Sequence, residues 1–146
     1  MLRRLPFFAF IIFAASVLCS FSGSAEAEIL THTNQFRKSR GMSPLIMNES
    51  LNAIAEKHSR NMASGKTAFG HQGFSDRSRQ ASARIDGVRK FAENVAYGAM
   101  SGKEAVKGWK DSPGHRQNML GKYKYIGIGV AKDKRGRIFY TQVFAG

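Results

Sequence analysis

The sequence comprises 146 residues, a length that suits one domain with a single core. Hydrophobic residues make up 42% of the chain and charged residues 23%, close to ordinary globular usage, which argues against a disordered or fibrous protein. The formal net charge of +13 favours anionic partners such as a membrane surface, a lipid headgroup or an acidic wall polymer, although a basic surface that only keeps the protein soluble explains it equally well.

The first 27 residues have the pattern of a secretory signal peptide. Arg3 and Arg4 precede an apolar run at 7–18, and an A-x-A sequence at 25–27 forms a cleavage site. The apolar run is too short to cross a bilayer comfortably as a helix. We therefore expect a secreted or periplasmic protein whose mature domain is 28–146, with 21 basic and 9 acidic residues.

The only cysteine of the chain, Cys19, lies in this leader segment. It could be a lipoprotein acceptor, but the residues before it, Ser16 to Leu18, lack the small side chains that lipoprotein processing usually needs. Signal-peptide cleavage is therefore the preferred interpretation, and it leaves a mature domain with no thiol and no disulfide.

Helical patterns dominate the first half of the mature chain. The spacing of Ile29, Leu30, Thr33 and Phe36 predicts a first helix that ends near Gly41. A second helix starts near residue 48, and its apolar stripe is formed by Leu51, Ile54, Ala55, His58 and Met62. On that stripe, His58 is more often a hydrogen-bonded core histidine than a ligand.

The second half is mixed. The segment TAFGHQGF is expected to be a loop or extended chain, SDRSRQASARI a short helix, and SGKEAVKGWK a third good helix. Apolar alternation in YIGIGVA, turn residues in KDKRG and β-branched and aromatic residues in RIFYTQVFA predict an antiparallel hairpin at the carboxy end. Helices first and a hairpin last indicate an α+β domain with helices packed on a sheet.

Chemistry-bearing motifs are sparse. The sequence contains no zincin, serine-hydrolase or cysteine-nucleophile motif, and no zinc finger or aromatic-rich nucleic-acid motif, so no specific nucleic-acid partner is expected. What remains is His71 in FGHQGF, Glu93 in FAENVAYG and His115 in SPGHRQNML. Two imidazoles and a carboxylate could bind a divalent metal or act in acid/base chemistry, but their local spacing is not diagnostic and lone histidines are often structural.

The segment SPGHRQNML carries a helix-start signal. Ser112 suits the N-cap and Pro113 the first helical position, which puts His115 at the third. The positive end of the helix dipole would keep His115 neutral, and therefore able to coordinate a metal or accept a proton. A histidine that only hydrogen-bonds in the first turn is the alternative.

Taken together and in order, these motifs resemble the SCP domain of the CAP superfamily, which comprises cysteine-rich secretory, antigen-five and pathogenesis-related proteins. The resemblance is closest to its small cysteine-free bacterial branch and runs from about Ile29 to the carboxy terminus. It is carried by the segments THTNQFRKSRGMSPLIMNESLNAIAEKHSRNM, GHQGF, AENVAYG, GWKDSPGHRQNML, YIGIGV and FYTQVFA.

The resemblance implies an α-β-α sandwich with a central antiparallel sheet and a cleft lined by two histidines and two acidic residues. His71 matches the first cleft histidine, Glu93 the glutamate of the GEN motif and His115 the histidine of the bacterial SPGH pattern. Eukaryotic members have a second histidine where this chain has Phe139. No second glutamate follows Trp109, and Asp111 is the candidate substitute.

The resemblance also implies Zn²⁺ or another divalent cation in the cleft, and lipid or sterol ligands. The leading hypothesis is a secreted binding module with a metal-capable cleft and a basic surface for an anionic envelope, lipid or host target. The rival is a metal-dependent hydrolase in which His71, Glu93 and His115 hold or serve the metal. A third interpretation is that these residues only brace the fold, as Asn34 and Arg37 in NQFR are expected to do.

Overall fold

A computed structural model describes residues 24–146, so Cys19 and most of the predicted signal peptide lie outside the described residues. In chain order the elements are α1 (Ala25–Ser39), β1 (Ile46–Met47), α2 (Glu49–Ala63), α3 (Phe74–Arg84), β2 (Phe91–Tyr97), α4 (Gly102–Asp111), α5 (Pro113–Met119), β3 (Tyr125–Lys132) and β4 (Ile138–Ala145). The predicted helices and the carboxy-terminal hairpin are confirmed. No helix in this part of the chain is long and apolar enough to span a membrane.

Helix α1 starts before the predicted mature terminus. Ser24 is its N-cap, and the Ser24 hydroxyl accepts a hydrogen bond from the Ala27 backbone N–H at 3.2 Å. The predicted cleavage point after Ala27 therefore falls in the first turn, and cleavage there would remove the cap.

The sheet has the strand order β1-β3-β4-β2. The three long strands are antiparallel, with Glu93 of β2 opposite Val143 and Gly127 of β3 opposite the same residue. A two-residue strand that sequence analysis did not foresee, β1, pairs in parallel with β3 at the edge, with Ile46 beside Tyr125. The free edge of β2 lies at the opposite side of the sheet.

Two helical layers cover the sheet, which confirms the α-β-α sandwich. Helices α2 and α3 pack on one face around Leu51, Ile54, Ala81 and Val143. Helices α1, α4 and α5 pack on the other around a larger core, whose buried members include Ile29, Phe36, Val106, Trp109, Met119, Ile126, Tyr140 and Phe144. Because successive strand residues point to opposite faces, β4 supplies Tyr140 and Phe144 to one core and Val143 to the other.

Two glycines of β3 bring α2 unusually close to the sheet. A Cβ atom at Gly127 would lie 2.3 Å from the Leu51 carbonyl carbon, and one at Gly129 would lie 2.1 Å from the Glu56 nitrogen. Backbone therefore rests on backbone, and α2 is fixed in position beneath the loop that carries His71.

Candidate functional site

The site is built around Glu93, near the start of β2. Neighbouring Ala92 enters the α1/α4 core, so strand alternation points Glu93 to the opposite face, beneath α3 and the loop between α2 and α3. Only 4% of Glu93 is exposed. A buried carboxylate is costly unless donors surround it, and the neighbouring elements supply them.

Arg77 of α3 holds both oxygens of this carboxylate. Its Nε donates to Glu93 Oε2 at 2.6 Å and its Nη2 donates to Oε1 at 2.7 Å, a bidentate pair. Nη1 donates to the Gln72 carbonyl at 2.8 Å, which ties the guanidinium to the loop before α3. That loop turns at Gly73, whose φ of +81° favours glycine.

His71 makes the third contact with the carboxylate. Its Nδ1 lies 2.8 Å from Glu93 Oε1, and because a carboxylate only accepts, Nδ1 carries the proton. In the neutral ring Nε2 then bears the lone pair. The His71 side chain is 49% exposed, so a ligand can reach it, whereas Glu93 is covered.

His58 of α2 lies behind the same carboxylate. It is buried, its Nε2 donates to the Gly70 carbonyl at 2.8 Å, and that nitrogen is 3.8 Å from Glu93 Oε1. Burial lowers the pKa of His58, an effect that the nearby Glu93 opposes and Arg77 reinforces. The prediction of a hydrogen-bonded core histidine is confirmed.

His115 of α5 approaches from the other side of β2. Burial lowers the pKa of His115, and the charge of His71 lowers it further. A lowered pKa is in the direction that the sequence predicted for His115, with burial as the main cause and His71 as the second.

The start of α5 differs from prediction in one detail. Ser112 is the N-cap and Pro113 follows in the first turn, but the Ser112 hydroxyl makes no cap hydrogen bond. Helix α4 ends at Asp111, so Ser112 is the single residue between the two helices. The tight corner fixes the position of His115.

A chain of amides fastens α5 to the edge of β2. Asn118 Nδ2 donates to the Glu93 carbonyl at 3.1 Å and to Asn94 Oδ1 at 2.9 Å, while Asn94 Nδ2 donates to the His115 carbonyl at 3.1 Å. Asn94 also donates to Gln142 Oε1, whose own amide donates to Thr33 Oγ1. The two histidine-bearing segments are thus both anchored to β2.

The remaining predicted residues lie elsewhere. Asp111 is exposed and accepts a hydrogen bond from Lys107 at 2.8 Å, which lowers the Asp111 pKa, so the structure does not bring it to Glu93. Phe139 is buried beside Met62 and Val95. Arg37 and Asn34 are structural as expected, since Arg37 donates to the carbonyls of Ser43, Met119 and Gly121 and Asn34 bonds the backbone of Leu45.

Sequence analysis missed Arg77, Asn94 and Asn118. Arg77 lies four residues before buried Ala81 and eight before Ile85, so it shares the inward face of α3. The apolar stripe of α3 is weak because Arg77 takes one of its core-facing positions. That weakness was the signal in the sequence that could have pointed to Arg77.

The geometry tests the predicted metal set. Glu93, one of three proposed ligands, already accepts from Arg77 and His71 with both oxygens. Within residues 24–146, no group of three or more His, Cys, Asp or Glu side chains is arranged to hold a metal ion. His71 and His115 therefore remain as the candidate protein ligands, and Glu93 fits the role of the carboxylate that orients a ligating histidine.

A cleft of about 330 Å³ borders this arrangement, lined by His71, Phe74, Phe91, Ala92, Glu93, Asn118 and Tyr123. It combines one accessible imidazole with aromatic walls. Chemically it offers the lone pair of His71 Nε2, and His115 is not among its lining residues.

Comparison with known proteins identifies the family. The model of the cysteine-rich secretory protein family, CAP, matches residues 30–144. The chain belongs to the CAP family. It is 33% identical over 129 residues to the uncharacterized protein YkwD of Bacillus subtilis (strain 168), covering 83% of this chain and 47% of that protein.

Solved CAP-domain structures share the fold. An extracellular protein containing an SCP domain from Bacillus anthracis str. Ames superposes with a TM-score of 0.71 at 28% identity, covering 83% of this chain and 40% of that one. A cysteine-rich secretory protein from Staphylococcus aureus subsp. aureus Mu50 gives 0.65 at 25% identity, covering 83% and 38%. The chain spans less than half the length of these relatives.

Proposed function

We propose that the chain is an extracellular binding domain of the CAP family. Its cleft takes up a divalent cation, with His71 and His115 as protein ligands, and its basic surface attaches it to an anionic envelope or lipid surface. The extracellular and secretory descriptions of the Bacillus anthracis and Staphylococcus aureus proteins support the location, as does the leader-like pattern of residues 1–27.

The proposal rests on the hydrogen bonds that Glu93 already accepts from Arg77 and His71. With both oxygens held by Arg77 and His71, the carboxylate orients an imidazole and is not itself free to bind a metal or remove a proton from water. A bound zinc ion would supply Lewis acidity, and the protein would supply the imidazoles of His71 and His115 to hold it.

The hydrolase alternative has less support. Catalytic zinc sites use three protein ligands and keep one position for water, whereas the described residues offer His71 and His115. The observation in its favour is the His71–Glu93 contact, because an imidazole that donates to a carboxylate can act as a base through its other nitrogen.

Calorimetric zinc titration tests the cleft. We expect wild type to bind zinc, and His71→Ala and His115→Ala to weaken binding by about tenfold or more, since each removes one of two ligands. His32→Ala is the matched control, because His32 lies on α1 and contacts Gln35. Equal binding by all four proteins, or none by wild type, would remove the metal from the proposal.

The third interpretation, that the histidines only brace the fold, gives a different result in the same series. It predicts lower melting temperatures for His71→Ala and His115→Ala with zinc affinity unchanged.

The basic surface is tested by sedimentation with anionic vesicles and with an acidic wall polymer. Because exposed charges are screened by salt, attachment should be strong at low ionic strength and weaken at physiological ionic strength. Absence of attachment to either material at low salt would refute this half of the proposal.

A further inference from the structure

A second concave region follows the loop after α2 and shares no lining residue with the His71 cleft, although His58 and Arg77 border both it and Glu93. It consists of three neighbouring cavities that we call the distal groove. A polar cavity of about 280 Å³ is lined in part by Lys57, Asn61, Thr67, Gln72 and Gln80. An aromatic cavity of about 380 Å³ shares Thr67 with it, and a basic cavity of about 400 Å³ shares Arg137 with the aromatic one. Neither His71 nor His115 lines any of the three.

The aromatic cavity presents rings to solvent. Phe69 is 47% exposed and Tyr97 is 52% exposed, and their ring centroids lie 4.7 Å apart in an edge-to-face arrangement. Tyr97 also stacks on buried Phe139, with centroids 5.8 Å apart and planes 21° apart. Rings held by one another offer large, rigid apolar contact at little conformational cost, which suits the flat apolar face of a sugar ring.

Polar groups beside the rings can pair with hydroxyls. Thr67 Oγ1 is buried and has no hydrogen-bond partner among residues 24–146, and its residue lines both the polar and the aromatic cavity. A buried polar atom without a partner is uncommon in native proteins. The side-chain amides of Asn61, Gln72 and Gln80 each donate and accept, as the hydroxyls of a sugar require.

The groove carries unbalanced positive charge. Among the described residues, Lys57, Lys134 and Arg135 make no ion pair. The acidic side chains that line the groove are occupied. Asp133 accepts from Arg137 and from the backbone N–H groups of the β3–β4 turn, and Asp76 pairs with Arg79.

We propose that the distal groove binds a strand of an acidic glycan. Tyr97 and Phe69 would stack on sugar rings, the amides and Thr67 would bind hydroxyls, and the basic turn would meet carboxylates. The inference rests on the proposed attachment to an anionic envelope and names the surface and the polymer class. A bilayer fits less well, because a flat surface cannot reach the amides inside a concave polar cavity.

The test measures binding of the full mature chain to a short oligogalacturonate at low salt. Fully methyl-esterified oligogalacturonate serves as the uncharged probe, inorganic polyphosphate as the ringless polyanion and phosphatidylglycerol vesicles as the membrane. We expect the acidic oligosaccharide to bind more tightly than each of the other three.

Paired variants locate the surface. We expect Phe69→Ala/Tyr97→Ala and Lys134→Ala/Arg135→Ala each to weaken oligogalacturonate binding by about tenfold, a usual effect of removing a contact residue at the centre of an interface. The matched controls are Met100→Ala, an apolar residue 81% exposed outside the three cavities, and Lys38→Ala/Lys122→Ala, two exposed lysines elsewhere. Both controls should stay within about twofold of wild type. If the Phe69→Ala/Tyr97→Ala variant does not fold, the single variant Phe69→Ser, on the exposed loop, is measured in its place.

The outcomes separate this inference from the proposed function. If both groove variants bind oligogalacturonate with wild-type affinity and still bind polyanions, the distal groove is not the binding surface. The proposed attachment to an anionic envelope would then still stand. If polyphosphate or vesicles bind as tightly as the oligosaccharide, and the aromatic variants have no effect, the ligand is not specifically a glycan. Failure of wild type to bind any polyanion at low salt would refute both the glycan groove and the proposed attachment, and it would leave the cation site to its own test.

Discussion

The Glu93 carboxylate of β2 lies against three consecutive segments of the chain, α2, the loop after it and α3. Arg77 reaches it from α3 and His71 from the preceding loop, while His58 lies behind it on α2. The hydrogen bonds from Arg77 and His71 offset the cost of burying the carboxylate charge, and the contact with Glu93 gives His71 a defined tautomer.

Removing either charge of the buried pair should be expensive. We expect Glu93→Gln and Arg77→Met each to lower the free energy of unfolding by about 3 kcal/mol, because each leaves an uncompensated buried charge. The double variant should lose less than the sum, which urea unfolding of the four proteins would reveal as a coupling energy. Losses below about 1 kcal/mol in both single variants would mean that the pair is not buried as described.

Stability should depend on pH through His58 and His115. Both folded-state pKa values lie below the ordinary value of 6.5, so the unfolded chain binds more protons and the contribution is complete above about pH 6.5. As pH falls below that value, the melting temperature should fall.

His58→Gln tests this assignment, because the glutamine amide can still donate to the Gly70 carbonyl without taking up a proton. Calorimetric melting between about pH 7.5 and pH 5 should show a flatter profile for the variant than for wild type. A melting temperature that rises on acidification would contradict the account.

At this scale the sequence singled out candidate residues but not the contacts that they make. His71, Glu93 and His115 stood out as residue types, whereas Arg77 looked like one of several solvated arginines of α3. Its partner is sixteen residues away on another element, a distance at which local periodicity carries no information.

Among the elements, α2, β3 and α5 place the site. Helix α2 lies directly on β3 through Gly127 and Gly129, and α5 covers the free edge of β2 through Asn118.

Matched glycine substitutions test the close approach. Gly129→Ala should be strongly destabilising, by about 3 kcal/mol or more, because the new methyl would overlap the backbone at Glu56. Gly108→Ala, in α4 with open space around it, should stabilise by roughly 0.5 to 1 kcal/mol through helix propensity. Chemical unfolding of both variants measures the contrast, and a tolerated Gly129→Ala would refute the packing of α2 on β3.

Element prediction succeeded where periodicity was strong. The stripe of α2 and the alternation of β3 were sufficient, and the predicted start of α2 near residue 48 is confirmed. Strand β1 was not predicted because two residues show no hydrophobic period, and because its parallel partner β3 lies far along the chain.

At the scale of the whole molecule, the His71 cleft and the distal groove have different lining residues, although His58 and Arg77 lie between Glu93 and the groove. The His71 cleft borders the free edge of β2, and the distal groove follows the loop after α2 and the β3–β4 turn. The net charge of +13 indicated anionic partners from the sequence, but only the folded chain shows basic side chains collected beside exposed rings. The spatial arrangement of these side chains cannot be deduced from the composition of the chain.

We propose that His71 and His115 form one cation site in which Glu93 orients His71. Its most direct test is a zinc titration followed by long-range ¹H–¹⁵N NMR of the four imidazoles. We predict that the nitrogen resonances of His71 and His115 shift together and saturate together, with His71 coordinating through Nε2, while those of His32 and His58 stay in place. Independent shifts of His71 and His115, or a response of His32 equal to theirs, would contradict it.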